Sequence, residues 1–131
     1  MSIRKDVVKL NIQQNAYFLV YHKNIDIGFG LTVALYIYEK EFLKFDCFGS
    51  NDGHYHILNT EERLYFKEQT VYEQITKAIY ELNNISPYLA CCRNIQIKNF
   101  QFDIAILKSK LLIVEQLLFT YENKYYASLR V

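Results

Sequence analysis

Residues 31–57, LTVALYIYEKEFLKFDCFGSNDGHYHI, decide the fold. Leu31, Val33, Leu35 and Ile37 put an apolar side chain at every second position, the period of a strand with one buried face. Glu39-Lys40-Glu41 interrupts the pattern, and Leu43, Phe45 and Cys47 resume it, which predicts a hairpin. A slip of one residue would send one strand's apolar set to the wrong side, so the connection must keep both sets together. A three-residue loop does so by pairing Ile37 with Leu43, Leu35 with Phe45 and Val33 with Cys47. Tyr36, Lys44 and Asp46 then share the opposite, more polar face. GSNDG is a strong turn signal before the next strand, His54 to Leu58. With residues 49–53 as that loop, Phe48 lies opposite His54 and Asp46 opposite His56, while Phe45 and Cys47 meet Ile57 and Tyr55 on the core side.

The same alternation extends towards the N-terminus. Val8, Leu10 and Ile12 mark one strand and the run Tyr17 to Tyr21 a second, followed by the turn-rich stretch HKNIDIGFG. Gly28-Phe29-Gly30 precedes a strand and opens no helix, so it reads as a turn or bulge and not as a phosphate loop. Leu64 to Phe66 is expected as a short last strand. Beyond it the period changes. Thr70 and Glu73 form a capping box, and Val71, Ile75, Ala78, Ile79, Leu82 and Ile85 recur at helical spacing until NNISP stops the helix. Ser86-Pro87 starts a short turn reaching Cys92. Asp103 caps a final helix with Ile104, Leu107, Leu111, Val114, Leu118 and Tyr121 on one stripe. Ile106, Ile113, Leu117 and Phe119 widen that stripe, which predicts burial on two sides, within the chain in preference to a second subunit. Strands followed by helices give an α+β fold: an antiparallel sheet of four to six strands in the first two-thirds, packed against two C-terminal helices. The whole chain, residues 1–131, is expected to be a single domain.

Composition narrows the function classes. Of the 131 residues 51% are hydrophobic and 22% charged, enough for a core and unlike a disordered chain. Fifteen basic against fourteen acidic residues leave a formal charge of +1, which disfavours nucleic acid and anionic membranes as partners. The start carries no apolar segment of a secretory signal, and no stretch is long and apolar enough to span a membrane, so a cytoplasmic location is expected. Cys47, Cys91 and Cys92 make no disulfide framework and no CxxC; they read as reduced, small apolar residues, with the Cys91-Cys92 neighbours as a redox-pair alternative.

Chemistry concentrates in residues 45–57. Alternate residues on a strand point the same way, so the His54 and His56 imidazoles lie about 6–7 Å apart on one face, with the Asp46 carboxylate beside them. Two imidazoles and a carboxylate suit a divalent metal such as Zn, Fe, Mn or Ni, with Asp52 and His22 as additional candidate ligands. The same three residues could instead work as an acid–base group, His56 being oriented by Asp46, with Lys44 binding an anion. HxH next to an Asp is also an ordinary surface pairing on a strand. Tyr36, Lys44 and Asp52 complete the candidate ligand-binding set. No GxSxG, HExxH or P-loop pattern is present.

The order Leu43-Lys44-Phe45-Asp46-Cys47-Phe48, then Gly53-His54-Tyr55-His56, then a Thr70-to-Leu82 helix holding Glu73-Gln74-Ile75, resembles a family of small bacterial domains of unknown function with an RFDCF…GHYH signature. The likeness covers residues 31–90, with Lys44 where that pattern has Arg. It implies that Asp46, His54 and His56 belong to a shared site or scaffold, and it implies no activity. A looser similarity is to small toxin–antitoxin proteins.

Taken together, these residues predict a small binding or interaction domain without catalysis of its own. It would act on a protein partner, a second copy or a small ligand, through aromatic and apolar surface such as Tyr36, Tyr38, Tyr125 and Tyr126. The alternatives are a small hydrolase, such as a ribonuclease or nucleotide phosphodiesterase, using His54, His56, Asp46 and Lys44, and a metal-binding protein. No organic cofactor is expected, and a divalent metal fits the donor set.

Overall fold

Alternating apolar residues on consecutive hairpins build a six-stranded antiparallel meander in the computed structural model, which describes residues 5–130. The strands are β1 (Lys5–Gln13), β2 (Ala16–Ile25), β3 (Gly28–Ile37), β4 (Lys40–Cys47), β5 (His54–Ile57) and β6 (Leu64–Tyr65), each bonded to the next. Two main helices, α1 (Val71–Asn83) and α4 (Ile104–Tyr121), pack on one face; the short α2 (Ser86–Ala90) and α3 (Ile95–Lys98) connect them. The fold is α+β. Among the described residues no helix is long and apolar enough to cross a membrane.

The β3–β4 register departs from the three-residue loop expected. Tyr38 and Glu39 form a two-residue turn with φ of 52° and 62°, left-handed at both positions, whose twist matches that of the flanking strands. Ile37 therefore faces Lys40, and Tyr36 faces Glu41. Continued unbroken, that register would turn Leu43, Phe45 and Cys47 onto the polar face. A bulge at Phe42 adds one residue, so that Leu43 faces Leu35, Phe45 faces Val33 and Cys47 faces Leu31. Pairing is displaced by two residues from the expected one, and because the side-chain period is two, the apolar face is preserved.

HKNIDIGFG is also strand and not loop. β2 runs on to Ile25 and β3 starts at Gly28, so the turn shrinks to Asp26-Ile27 and Gly28-Phe29-Gly30 lies within β3. Gly30 has a φ of 146°, and a Cβ there would stand 2.7 Å from the Arg130 guanidinium. That explains a glycine where a strand would otherwise take a side chain.

The helix starts follow their caps. Thr70 Oγ1 accepts from the Glu73 amide, and the Glu73 carboxylate accepts from the Thr70 amide. Asp103 accepts from the Ile106 amide at the head of α4. Val71, Ile75, Ala78, Ile79, Leu82 and Ile85 are buried with Leu107, Leu111, Val114 and Leu118 against Phe18, Val20, Val33, Leu35, Leu43 and Phe45. The second side of α4 differs from expectation. Of the residues that widen the stripe, Ile106 and Ile113 are exposed while Leu117 and Phe119 are half-buried, and Ile104 at the start of the main stripe is exposed too, because the sheet and α1 cover only part of the helix. After α4 the chain continues through a π-helical turn (Glu122–Tyr126) and a 3-10 turn (Ala127–Leu129) to Arg130. There the guanidinium donates to buried Glu122 at 2.7 and 2.9 Å, to the Phe48 carbonyl at 2.6 Å and to the Phe29 carbonyl at 3.1 Å.

Candidate metal centre

The face of the sheet turned away from α1 and α4 carries polar residues in register. Thr32, Asp46 and His54 form one rung across β3, β4 and β5, and Ala34, Lys44 and His56 form the next. Asp46 therefore faces His54, and Lys44 faces His56, two residues away from the expected pairing of Asp46 with His56 and Phe48 with His54. The cause lies in the connection. Phe48 leaves the ladder because its amide turns back onto the Asp46 carbonyl at 3.1 Å, which lengthens the loop to residues 48–53. Gly49, at a φ of 83°, then lets the Asp52 and Gly53 amides both close onto its carbonyl.

Gln74 locks that loop. Its side chain is buried on the helix face of α1, accepts from the Gly49 amide at 2.8 Å and donates to the carbonyls of Glu68 (2.9 Å) and Ser50 (3.3 Å). The closed loop brings the Asp52 carbonyl to 2.8 Å from His54 Nδ1. A carbonyl only accepts, so Nδ1 carries a proton and Nε2 is the end of the ring turned to Asp46.

Asp46 is fully buried, yet ionised. Burial by itself would raise its pKa; the His54 imidazole, the Lys23 ammonium and the Thr32 hydroxyl outweigh that and hold it at about 2. Thr32 Oγ1 donates to Oδ1. Oδ2 meets Lys23 Nζ at 3.5 Å, His54 Nε2 at 2.7 Å and His56 Nε2 at 3.9 Å. Although close, Oδ2 lies off the axis of His54 Nε2, so this buried nitrogen has no aligned hydrogen-bond partner. His56 is the cluster's contact with solvent, its side chain 27% exposed. Burial, and then the Lys44 charge, lower its pKa to about 4 against the pull of Asp46, so it is neutral at pH 7. One donor atom from each of Asp46, His54 and His56 falls within 4.8 Å of the others, and the three could hold a metal ion.

The other sequence candidates separate around this centre. Asp52 contributes its carbonyl, while its exposed side chain borders a cleft of about 540 Å³ between the 48–53 loop, the start of α1 and the C-terminal turn. Lys44 Nζ sits 3.6 Å from Glu41. Tyr36 lies one rung further along the same face, stacked on Tyr17 with ring centroids 5.1 Å apart. His22 is on the helix face, its Nδ1 2.7 Å from the Tyr126 hydroxyl and its ring among Tyr121, Tyr125 and Tyr126, away from the three. Cys47 is a buried core residue whose thiol pKa is pushed up by burial, and Cys91 and Cys92 are free thiols.

Sequence reasoning missed Thr32, Lys23 and Gln74. Only Gln74 left a signal, as a polar residue at a helical-spacing position beside Val71, Ile75 and Ala78. Comparison of the chain with protein-family models, with curated proteins and with solved structures finds no match in any of the three.

Proposed function

We propose that this protein is a binding module built around one divalent transition-metal ion, ligated by Asp46 Oδ2, His54 Nε2 and His56 Nε2. The observation that carries this reading is the buried His54 Nε2, short of an aligned partner although only 2.7 Å from a carboxylate oxygen. With the proton on Nδ1, Nε2 presents a lone pair, and a lone pair against an anionic oxygen is repulsive unless a cation lies between them. An ion bound by both atoms draws them close without lining up an N–H with the oxygen. Imidazole and carboxylate donors favour Zn, Fe, Co, Ni or Mn over Ca and Mg. The Asp52 carbonyl on His54 and the Thr32 hydroxyl on Asp46 are the supports that ligands of this kind use to fix their orientation. Three protein ligands leave coordination open on the side of His56, where a bound molecule would enter.

A second reading has its own support in Lys23, whose ammonium already places a cation on Asp46 Oδ2. In that case His54 is doubly protonated between Asp52 and Asp46, and neutral His56 serves as the acid–base group of a metal-free site. Metal titration of chelator-treated protein separates the two. The metal reading expects about one equivalent of Zn²⁺ or Co²⁺ bound, with loss of binding in His54→Gln and in His56→Gln. Wild-type protein that binds neither ion would overturn it.

A further inference from the structure

Resting on that metal reading, we infer that the molecule bound at this face carries a phosphate group, held between the ion and Lys44. Charge balance on a rigid rung calls for an anion. A divalent ion, Lys23 and Lys44 stand against the carboxylates of Asp46 and Glu41, which leaves two positive charges in excess. Asp46 and Lys23 are buried, so solvent screens this excess poorly, and a dianion matches it where a neutral group or a monoanion does not. Lys44 is placed for that role. It faces His56, the ligand in contact with solvent, across the β4–β5 ladder, and its ammonium sits 3.6 Å from Glu41, a loose ion pair that an incoming dianion can displace. Next along the face, the stacked Tyr17 and Tyr36 rings place aromatic edges beside the organic part of a phosphate monoester.

The experiment uses full-length protein loaded with Co²⁺, whose visible absorption reports a change of ligand at the ion. Inorganic phosphate, adenosine monophosphate and acetate are titrated in turn. Phosphate and the monoester should each alter the spectrum and bind at least about ten-fold tighter than acetate, as expected for added charge-assisted contacts. Tighter binding of the monoester identifies an organic phosphate as the ligand, and equal or weaker binding identifies free phosphate. Lys44→Met should weaken both at least about ten-fold while Co²⁺ stoichiometry and the melting temperature stay unchanged. A Co²⁺ spectrum indifferent to phosphate, no preference over acetate, or undiminished phosphate binding by Lys44→Met overturns the inference and leaves the metal reading standing. Absence of any Co²⁺ spectrum overturns both.

Discussion

At the residue scale, Asp46 is a fully buried carboxylate with cationic and hydroxyl partners. Its carboxylate is out of solvent and held by the Lys23 ammonium and the Thr32 hydroxyl, so removing the charge leaves these two partners buried without it. Asp46→Asn is expected to destabilise the fold by about 3–5 kcal/mol, the usual cost of breaking a buried pair from one side. Denaturant unfolding measures this directly, and a change below about 1 kcal/mol would mean that Asp46 is not held as described. Acid stability follows from the same group and its neighbour. For His56, with a folded pKa of about 4 against 6.5, the unfolded chain takes up a proton that the folded chain refuses, so stability is full above pH 6.5 and falls as the pH drops to 4. For Asp46, at about 2 against 3.8, stability is full above pH 4 and is lost as the pH falls towards 2, an effect on the order of 2 kcal/mol. Melting curves in chelator should therefore show two acid steps. His56→Gln should shrink the upper one, and His22, whose pKa burial also lowers, accounts for what is left of it. An unchanged upper step in that variant would place the lost stability elsewhere.

At the scale of elements, the 48–53 loop and α1 form one device. The Thr70 cap starts the helix, the helix places Gln74, and Gln74 closes the loop that offers the Asp52 carbonyl to His54. Gln74→Ala would strand the buried Gly49 amide and remove the donor of the part-buried Glu68 and Ser50 carbonyls. The expected loss is about 1–3 kcal/mol, with faster amide exchange at residues 49–53. Metal affinity should drop as well, although Gln74 touches none of the three ligands, because the Nδ1 support is lost. Exchange rates at residues 49–53 unchanged from wild type would show that the loop holds itself. This device was only half legible beforehand. The capping box, the helix period and the GSNDG turn are local signals, and each appears where expected. The two-residue displacement in pairing was not, since a register that keeps the same face is indistinguishable by hydrophobic pattern. It was decided by the left-handed Tyr38-Glu39 turn, the Phe42 bulge and the backward turn of Phe48.

At the scale of the whole molecule, the C-terminal turn ties the last residues to the open end of the sheet. Arg130 satisfies buried Glu122 and two backbone carbonyls that lie 82 and 101 residues earlier. Arg130→Met leaves the Glu122 carboxylate buried and unpaired, with an expected cost of about 3–5 kcal/mol; adding Glu122→Gln should recover much of it. Additive losses in the double variant would show that the two side chains act independently. The exposed Ile104, Leu112 and Ile113 of α4 belong to this scale too. The apolar residues of this helix reach around more of its circumference than a single sheet and a single neighbouring helix cover.

By itself the amino-acid sequence determined the α+β class, the side of each strand that is buried, both capped helix starts and the presence of Asp46, His54 and His56 on one face. All of these depend on short-range periodicity or on hydrogen bonds between residues three apart. Only the tertiary structure decided that Asp46 faces His54, that Lys23 and Thr32 reach the same carboxylate from other strands, and that His22 stands apart among tyrosines. Those relations join residues far apart in the chain, and they were set by turns, a bulge and a buried glutamine whose effect on pairing leaves no period in the sequence.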